Sequence, residues 1–356
     1  MSWHGIHGHD EVVEGFRRRL ENGRLASTFL FVGPPGVGKR TFALKLAQAL
    51  LCERHPDIDL DPCEKCPSCL QVVAGSHPDV IYVQRPVNKT RVLLEQLIGE
   101  DGKRMQEGLV HAIGLKPFSG RRKVGIIDDA DTLDYGQGES ANCLLKTLEE
   151  PPSNSLLILI GTSEQRQLPT IRSRAQVVRF SPLPEPVVAQ LLLEKQIASD
   201  PQHARKLAEL SQGSLQTAEE FASVDVQEFR TRWLRFLADP QPDAAAMARQ
   251  FSGFVDEAGK EAPARRARMR LLAQVAIQFY RELMRALHGH EAEGDDQLRH
   301  AVTAATRQWN RDPEVVADAI ERCLDAIAQV DANANQATLI EAWVDDLAQL
   351  RLMGRA

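Results

Sequence analysis

Seven residues near the start of the chain have the types and spacing to hold a phosphate. Gly33-Pro34-Pro35-Gly36-Val37-Gly38-Lys39 fits G-x-x-x-x-G-K. Gly33, Gly36 and Gly38 let backbone N–H groups turn toward an anion, and Lys39 supplies a point charge to the outer phosphates. The pattern then breaks. A Ser or Thr hydroxyl should follow the lysine and ligate magnesium, but Arg40 stands there and Thr41 comes one place later. One step along a helix turns a side chain by about 100°, so Thr41 is no substitute. The expected chemistry is nucleotide binding with a compromised magnesium position, and hence weak hydrolysis by the chain alone.

Two further groups carry chemistry. Lys123 to Asp129 is an apolar run ending in two acids, the form of a Walker B strand. Asp128 would hold magnesium, and Asp129 would orient the attacking water. That second acid is usually Glu, and Asp129 is one methylene shorter. Cys52, Cys63, Cys66 and Cys69 give C-x10-C-x2-C-x2-C. Four thiolates at this spacing suit a closed tetrahedral site, so Zn2+ in a structural role is expected. Cys143 and Cys323 stand apart and are expected in the core. His77, in His77-Pro78-Asp79, is expected to be structural.

Local elements must position these groups. Thr28 to Val32 reads as a buried strand, and Phe42 to Leu51 carries helical periodicity: strand, loop, helix. Asp79 to Gln84, Lys123 to Ile127, Leu156 to Ile160 and Gln176 to Phe180 read as further strands. Glu95 to Val110 and Ser140 to Glu150 read as helices, the latter stopped by Pro151-Pro152. Strands alternating with helices predict an α/β domain with a parallel sheet covered on both faces. The segment 181–186 is Pro-rich, and beyond it the strand signal disappears. Three short helices follow to about residue 225, and the remainder reads as all-helical. The domains are therefore expected at 1–181, with the cysteine module at 52–69, at 182–225 and at 226–356.

The chain has 356 residues, too many for one core. Aromatics are 5%, apolar residues 43% and charged residues 26%, an ordinary globular composition. No run of 18 apolar residues is present, so no spanning helix is expected and the expected location is cytoplasmic. The net charge of −6 argues against a protein that grips DNA by its overall charge. Arg121-Arg122-Lys123 and Arg265 to Arg270 are local basic clusters, read first as solvated faces.

The motifs occur in a telling order. A phosphate loop, a four-cysteine insert after its helix and an Asp128-Asp129 strand are followed by Leu144-Leu145-Lys146-Thr147-Leu148-Glu149-Glu150-Pro151-Pro152 and by Ser173-Arg174-Ala175. This resembles the bacterial clamp-loader branch of the AAA+ ATPases. LLKTLEEPP is close to that branch's signature, and Ser-Arg-Ala matches its Ser-Arg-Cys motif with Ala175 in place of Cys. The resemblance covers residues 1 to about 225.

It implies a RecA-like AAA+ domain with a zinc module, a helical lid and an all-α collar that packs subunits into a ring of five. It implies a part in DNA polymerase III, loading the sliding clamp onto primed DNA with gamma/tau and delta subunits. Two kinds of subunit share this layout, and the chain resembles the delta-prime stator rather than the hydrolysing gamma/tau kind. Arg40, Asp129 and Gln216, where a sensor Arg would fall, each weaken the catalytic centre. The chain also stops after one helical domain, without a tail like tau's. By the same resemblance Arg174 is an arginine finger acting on a neighbour's ATP, and Thr162 is the sensor of the γ-phosphate. ATP with Mg2+ is the implied ligand of this chain's own loop. The alternatives are a hydrolysing gamma/tau-type subunit and a zinc-bearing DNA-binding protein outside the replisome.

Overall fold

The computed structural model describes residues 3–353 apart from 87–88, 90, 119–120, 134–138 and 308–311. It divides into two compact units: residues 1–188 with 212–216, and residues 189–211 with 217–356. Among the described residues no helix is long and apolar enough to cross a membrane.

The first unit is built on five parallel strands: β1 (Thr28–Val32), β2 (Val80–Val83), β3 (Lys123–Ile127), β4 (Ser155–Ile160) and β5 (Gln176–Arg179). Their order in the sheet is β2-β3-β4-β1-β5. This is the RecA-like strand order that the resemblance implied. Its helices are α1 (Asp10–Glu21), α2 (Lys39–Leu50), α3 (Pro67–Ala74), α4 (Leu94–Ile98), α5 (Gly108–Gly114), α6 (Glu139–Glu149) and α7 (Pro169–Arg172).

Both faces of the sheet are buried, which explains why β1, β3 and β4 read as unbroken apolar runs. Alternate residues serve opposite cores. Phe29 and Phe31 join Phe16, Phe42 and Phe180 on one face, while Leu30 and Val32 join Ile127, Leu157 and Leu159 on the other. Phe16 and Phe29 lie 4.8 Å apart and Phe42 and Phe180 5.2 Å apart, between ring centroids. Such pairs add to burial at tilted and edge-on geometries.

Two local expectations change. The helix read over Glu95 to Val110 is two short helices, α4 and α5. Gly99 and Gly102 adopt φ of 90° and 93°, which no helix accommodates, and a Cβ on Gly99 would lie 2.8 Å from the Lys103 carbonyl oxygen. The helix α1 was not legible as a core element, yet it buries Val13, Phe16 and Leu20.

The second unit is helical. The chain divides within α8 (Glu185–Glu194), continues through α9 (Pro201–Leu210) and divides again within α10 (Leu215–Phe221). It ends in α11 (Val224–Ala238), α12 (Ala244–Asp256), α13 (Ala262–Leu287), α14 (Asp296–Thr306), α15 (Pro313–Asp331) and α16 (Gln336–Met353). Trp233, Phe251 and Trp343 form its aromatic centre, with centroids 5.4–5.5 Å apart. The Trp233 indole donates to the Leu272 carbonyl at 3.0 Å. Arg230 and Asp295 make a buried ion pair at 2.5 Å, and Asp295 also caps α14 through the N–H groups of Gln297 and Leu298.

Candidate functional site: a nucleotide-fold centre and a four-cysteine cluster

The phosphate loop leaves β1, and Asp128 and Thr162 follow β3 and β4. All three therefore meet at the carboxyl ends of neighbouring strands, where open α/β sheets bind ligands. Gly36 has φ 74°, and a Cβ there would lie 2.3 Å from Ser214 Oγ and 2.7 Å from Gln216 Cβ. The Leu215 N–H donates to the Gly36 carbonyl at 3.1 Å. The turn that carries Gln216 is thus closed directly against the loop, and the position expected for a sensor Arg belongs to this centre. Gly33 is held as tightly: a Cβ would lie 2.2 Å from the Phe180 carbonyl oxygen. The helix α2 begins at Lys39 with Gly38 as its N-cap at φ 99°. The N–H groups of its first turn therefore lack intrahelical acceptors.

Lys39 is buried and donates to the carbonyls of Gly33 and Pro34, each at 2.6 Å. Burial pulls its pKa down to about 8, against the opposing pull of Asp131 and Asp128. Arg40 departs from any magnesium-binding role. Its guanidinium carbon lies 4.8 Å from the centre of the Tyr82 ring. Tyr82 in turn donates its hydroxyl to Asp128 Oδ2 at 2.7 Å. Burial and this bond both raise the phenol's pKa, so the proton stays on the tyrosine. The other oxygen, Asp128 Oδ1, accepts the Asp129 N–H at 3.0 Å. Asp129 has φ 58° and pairs with Arg85 at 3.4 Å. Its pKa is raised by burial, with Arg85 opposing and Asp128 adding to the rise. Thr41 is exposed and is not drawn into the cluster.

Thr162 is committed locally. Its hydroxyl donates to Asp131 Oδ2 at 2.6 Å, and its N–H reaches the same carboxylate at 2.9 Å. Gln167 donates to Asp131 as well. The Thr162 carbonyl accepts the Gly33 N–H at 3.1 Å, which links this network to the loop. Sequence reasoning missed Asp131, Tyr82, Arg85 and Gln167. Only Asp131 left a signal, as the third acid of Asp128-Asp129-Ala130-Asp131.

A magnesium ion does not fit these residues well. The position that should offer an oxygen offers a cation, both oxygens of Asp128 already accept hydrogen bonds, and Asp129 faces Arg85.

Arg174 follows α7. Its guanidinium is about one-third exposed, with Nη2 2.5 Å from Glu149 Oε1 and Nη1 3.0 Å from the Thr170 carbonyl. Glu149 belongs to the LLKTLEEPP segment. The four ligand atoms of Cys52, Cys63, Cys66 and Cys69 lie within 4.8 Å of one another. A tetrahedral ion with 2.3 Å metal–sulfur bonds needs about 3.8 Å between sulfurs, so a small contraction suffices. Backbone N–H groups of Cys63, Cys66 and Cys69 donate to the sulfurs of Cys52, Cys63 and Cys66. Burial opposes ionisation of Cys52 and Cys66, but the N–H donors prevail and hold both thiols below the ordinary value. Burial pushes Cys69 up. The donor set fits a metal ion.

His77 is structural, as expected. Its Nδ1 accepts the Asp79 N–H at 3.0 Å, so Nε2 carries the proton toward Ser68 Oγ at 2.9 Å. Ser68 sits between two of the cysteines, so this relay fixes the module to the start of β2. Cys323 is buried in the helical core and Cys143 is partly buried. The basic clusters are spent inside the fold: Arg122 pairs with Asp57, Arg265 with Asp256, Arg268 with Asp225 and Arg270 with Asp331.

Known proteins resemble the chain over the region that carries this centre. The family described as "DNA polymerase III, delta subunit" matches residues 8–184, about half of the chain. DNA polymerase III subunit delta' of Bacillus subtilis is 30% identical over 229 residues, 63% of this chain and 62% of that protein. The Pseudomonas aeruginosa delta' subunit is 32% identical over 208 residues, 58% of this chain and 59% of its own. The tau subunit of Escherichia coli is 34% identical over 215 residues, 59% of this chain and 31% of tau. The match thus spans about three fifths of the length of the delta' relatives. A solved gamma subunit-related protein of Thermotoga maritima aligns over 95% of this chain and 99% of its own, at 14% identity and a TM-score of 0.47. Over residues 8–184 the chain belongs with the family described as DNA polymerase III, delta subunit, and over a similar span it resembles both delta' and tau subunits.

Proposed function

We propose that this chain is the stator of a DNA polymerase III clamp loader. With gamma/tau and delta subunits in a ring of five, it helps place the sliding clamp on primed DNA. In this reading its own nucleotide centre does not hydrolyse, and Arg174 completes the ATP site of a neighbouring gamma/tau subunit. The observation that carries it is Arg40 over Tyr82, with Tyr82 bonded to Asp128. A cation and a capped carboxylate stand where hydrolysis needs a magnesium ion. Arg174 supports the second half, because a partly exposed guanidinium at the end of α7 is positioned to leave Glu149 for a stronger anion. A finger of this kind stabilises charge as it develops on the transferring phosphoryl group. The four cysteines are read as a closed zinc site, which supplies folding energy and leaves no coordination position for water.

The test is reconstitution with gamma/tau, delta, clamp and primed DNA. At the site it serves, Arg174→Ala should lower ATP turnover by roughly a hundredfold or more. Unchanged clamp-stimulated turnover would overturn the assignment.

A second reading, a hydrolysing gamma/tau-type subunit, is favoured by the 34% identity to tau. Steady ATP turnover by the purified chain alone, abolished by Lys39→Ala, would establish it in place of the first. A DNA-binding protein outside the replisome has less support, since the basic clusters are paired within the fold.

A further inference from the structure

We infer that the phosphate loop binds a nucleoside triphosphate without a divalent cation, with Arg40 and Arg85 supplying the positive charge that magnesium supplies in an ordinary site. The inference deepens the proposed reading of a non-hydrolysing centre and rests on it.

The seat for the phosphates is present. Gly33, Gly36 and Gly38 hold the loop in conformations that need glycine, and the first-turn N–H groups of α2, which begins at Lys39 without a side-chain cap, lack intrahelical acceptors. The Lys39 ammonium has three donors, and the Gly33 and Pro34 carbonyls take two. The third is left for an anion. A buried ammonium also gains more from an incoming anion than an exposed one does.

The seat for the metal is replaced. Arg40 lies at the position whose side chain normally meets the metal between the outer phosphates and Asp128. Stacking on Tyr82 holds its guanidinium there, and among the described residues no carboxylate pairs with it. Its N–H donors are therefore available in the planar arrangement that matches phosphate oxygens. Tyr82 serves as the platform, fixed by its bond to Asp128.

The charge balance agrees. In an ordinary site one lysine, two acids and Mg2+ sum to +1 before the nucleotide arrives. Counted over the same two acid positions, Lys39, Arg40 and Arg85 against Asp128 and Asp129 also sum to +1, with Asp131 a further acid that Thr162 and Gln167 hydrogen-bond. The two guanidinium groups thus match the charge of the ion. Magnesium added to this centre would meet a cation at the place where it needs an oxygen.

The experiment is calorimetric titration of the full chain with ATP, once with excess EDTA and once with excess magnesium at matched ionic strength. The expected result is binding in both, with dissociation constants within about twofold, less than ~0.5 kcal/mol. Arg40→Ala should weaken binding in EDTA by about tenfold, the scale of one charge-assisted hydrogen bond, with no change in thermal midpoint. Arg40→Ser should turn the site into one that magnesium tightens. Tightening of the wild type by about tenfold or more with magnesium would overturn the inference. So would Arg40→Ala binding as well as wild type in EDTA, or no binding in either condition. Those outcomes leave the role of Arg174 standing, because reconstituted turnover tests that separately.

Discussion

Arg174 Nη2 lies 2.5 Å from Glu149 Oε1, so the residue proposed to serve a neighbour's site is held in cis by the LLKTLEEPP segment. The pair is about one-third to one-half exposed, and such pairs contribute roughly 0–1 kcal/mol. Glu149→Gln should therefore leave the thermal midpoint nearly unchanged. In the reconstituted complex it should leave ATP turnover at or above the wild-type level, because Arg174 loses only its resting partner. A loss as deep as that of Arg174→Ala would mean that Glu149 itself acts in the neighbour's site, and the resting-contact account would be abandoned.

The cysteine cluster gives a prediction independent of nucleotide. Elemental analysis of protein purified under reducing conditions should find about one zinc per chain. Cys66→Ser should lose most of it and expose the amides of α3 to hydrogen exchange. The strands β1 and β4 should keep their protection, because their core lies on the sheet rather than on the module. Zinc-free wild type with α3 still protected would refute the metal reading of Cys52, Cys63, Cys66 and Cys69.

The cluster was legible in the chain because three of its four ligands fall within seven positions and the fourth lies two residues past the end of α2. Its anchor was not. His77, Ser68 and the Leu51 carbonyl form one buried relay, and nothing in the residue types says which hydroxyl a histidine will meet.

Lys39 predicts a dependence on alkaline pH. Its folded value is about 8, against 10.5 for an unperturbed lysine. The unfolded chain therefore binds more protons between those values, and this group's contribution to stability rises with pH across that window. The penalty of burying the charge is full below pH 8 and fades above it. Denaturant midpoints of wild type and Lys39→Met should show wild type gaining on the variant between about pH 8 and pH 10. A constant difference across that range would place the lysine's titration outside it.

In the helical unit, Arg230 and Asp295 are almost fully buried. Removing one partner strands the other, so Arg230→Ala or Asp295→Ala should each cost about 3–5 kcal/mol, with Asp295→Ala also losing the cap of α14. Urea unfolding measures both. A cost below about 1 kcal/mol would show that water reaches the pair.

The sequence by itself determined what is local. The glycine pattern, Arg40, the acid pair and the cysteine spacing each specify a backbone shape or a ligand set within a few residues. The buried strands followed from apolar run length. Only the tertiary structure decided which side chains meet across long separations. Tyr82 reaches Asp128 over 46 residues, Thr162 reaches Asp131 over 31, and Arg174 reaches Glu149 over 25. Strand order and packing place these partners, and residue type alone does not encode them. The same holds for the break between α4 and α5, where periodicity predicted one helix and the backbone at Gly99 and Gly102 prevents it. Arg40 shows both levels at once. Its position in the motif removed the expected hydroxyl, and the fold set its guanidinium over the Tyr82 ring, whose hydroxyl is bonded to Asp128.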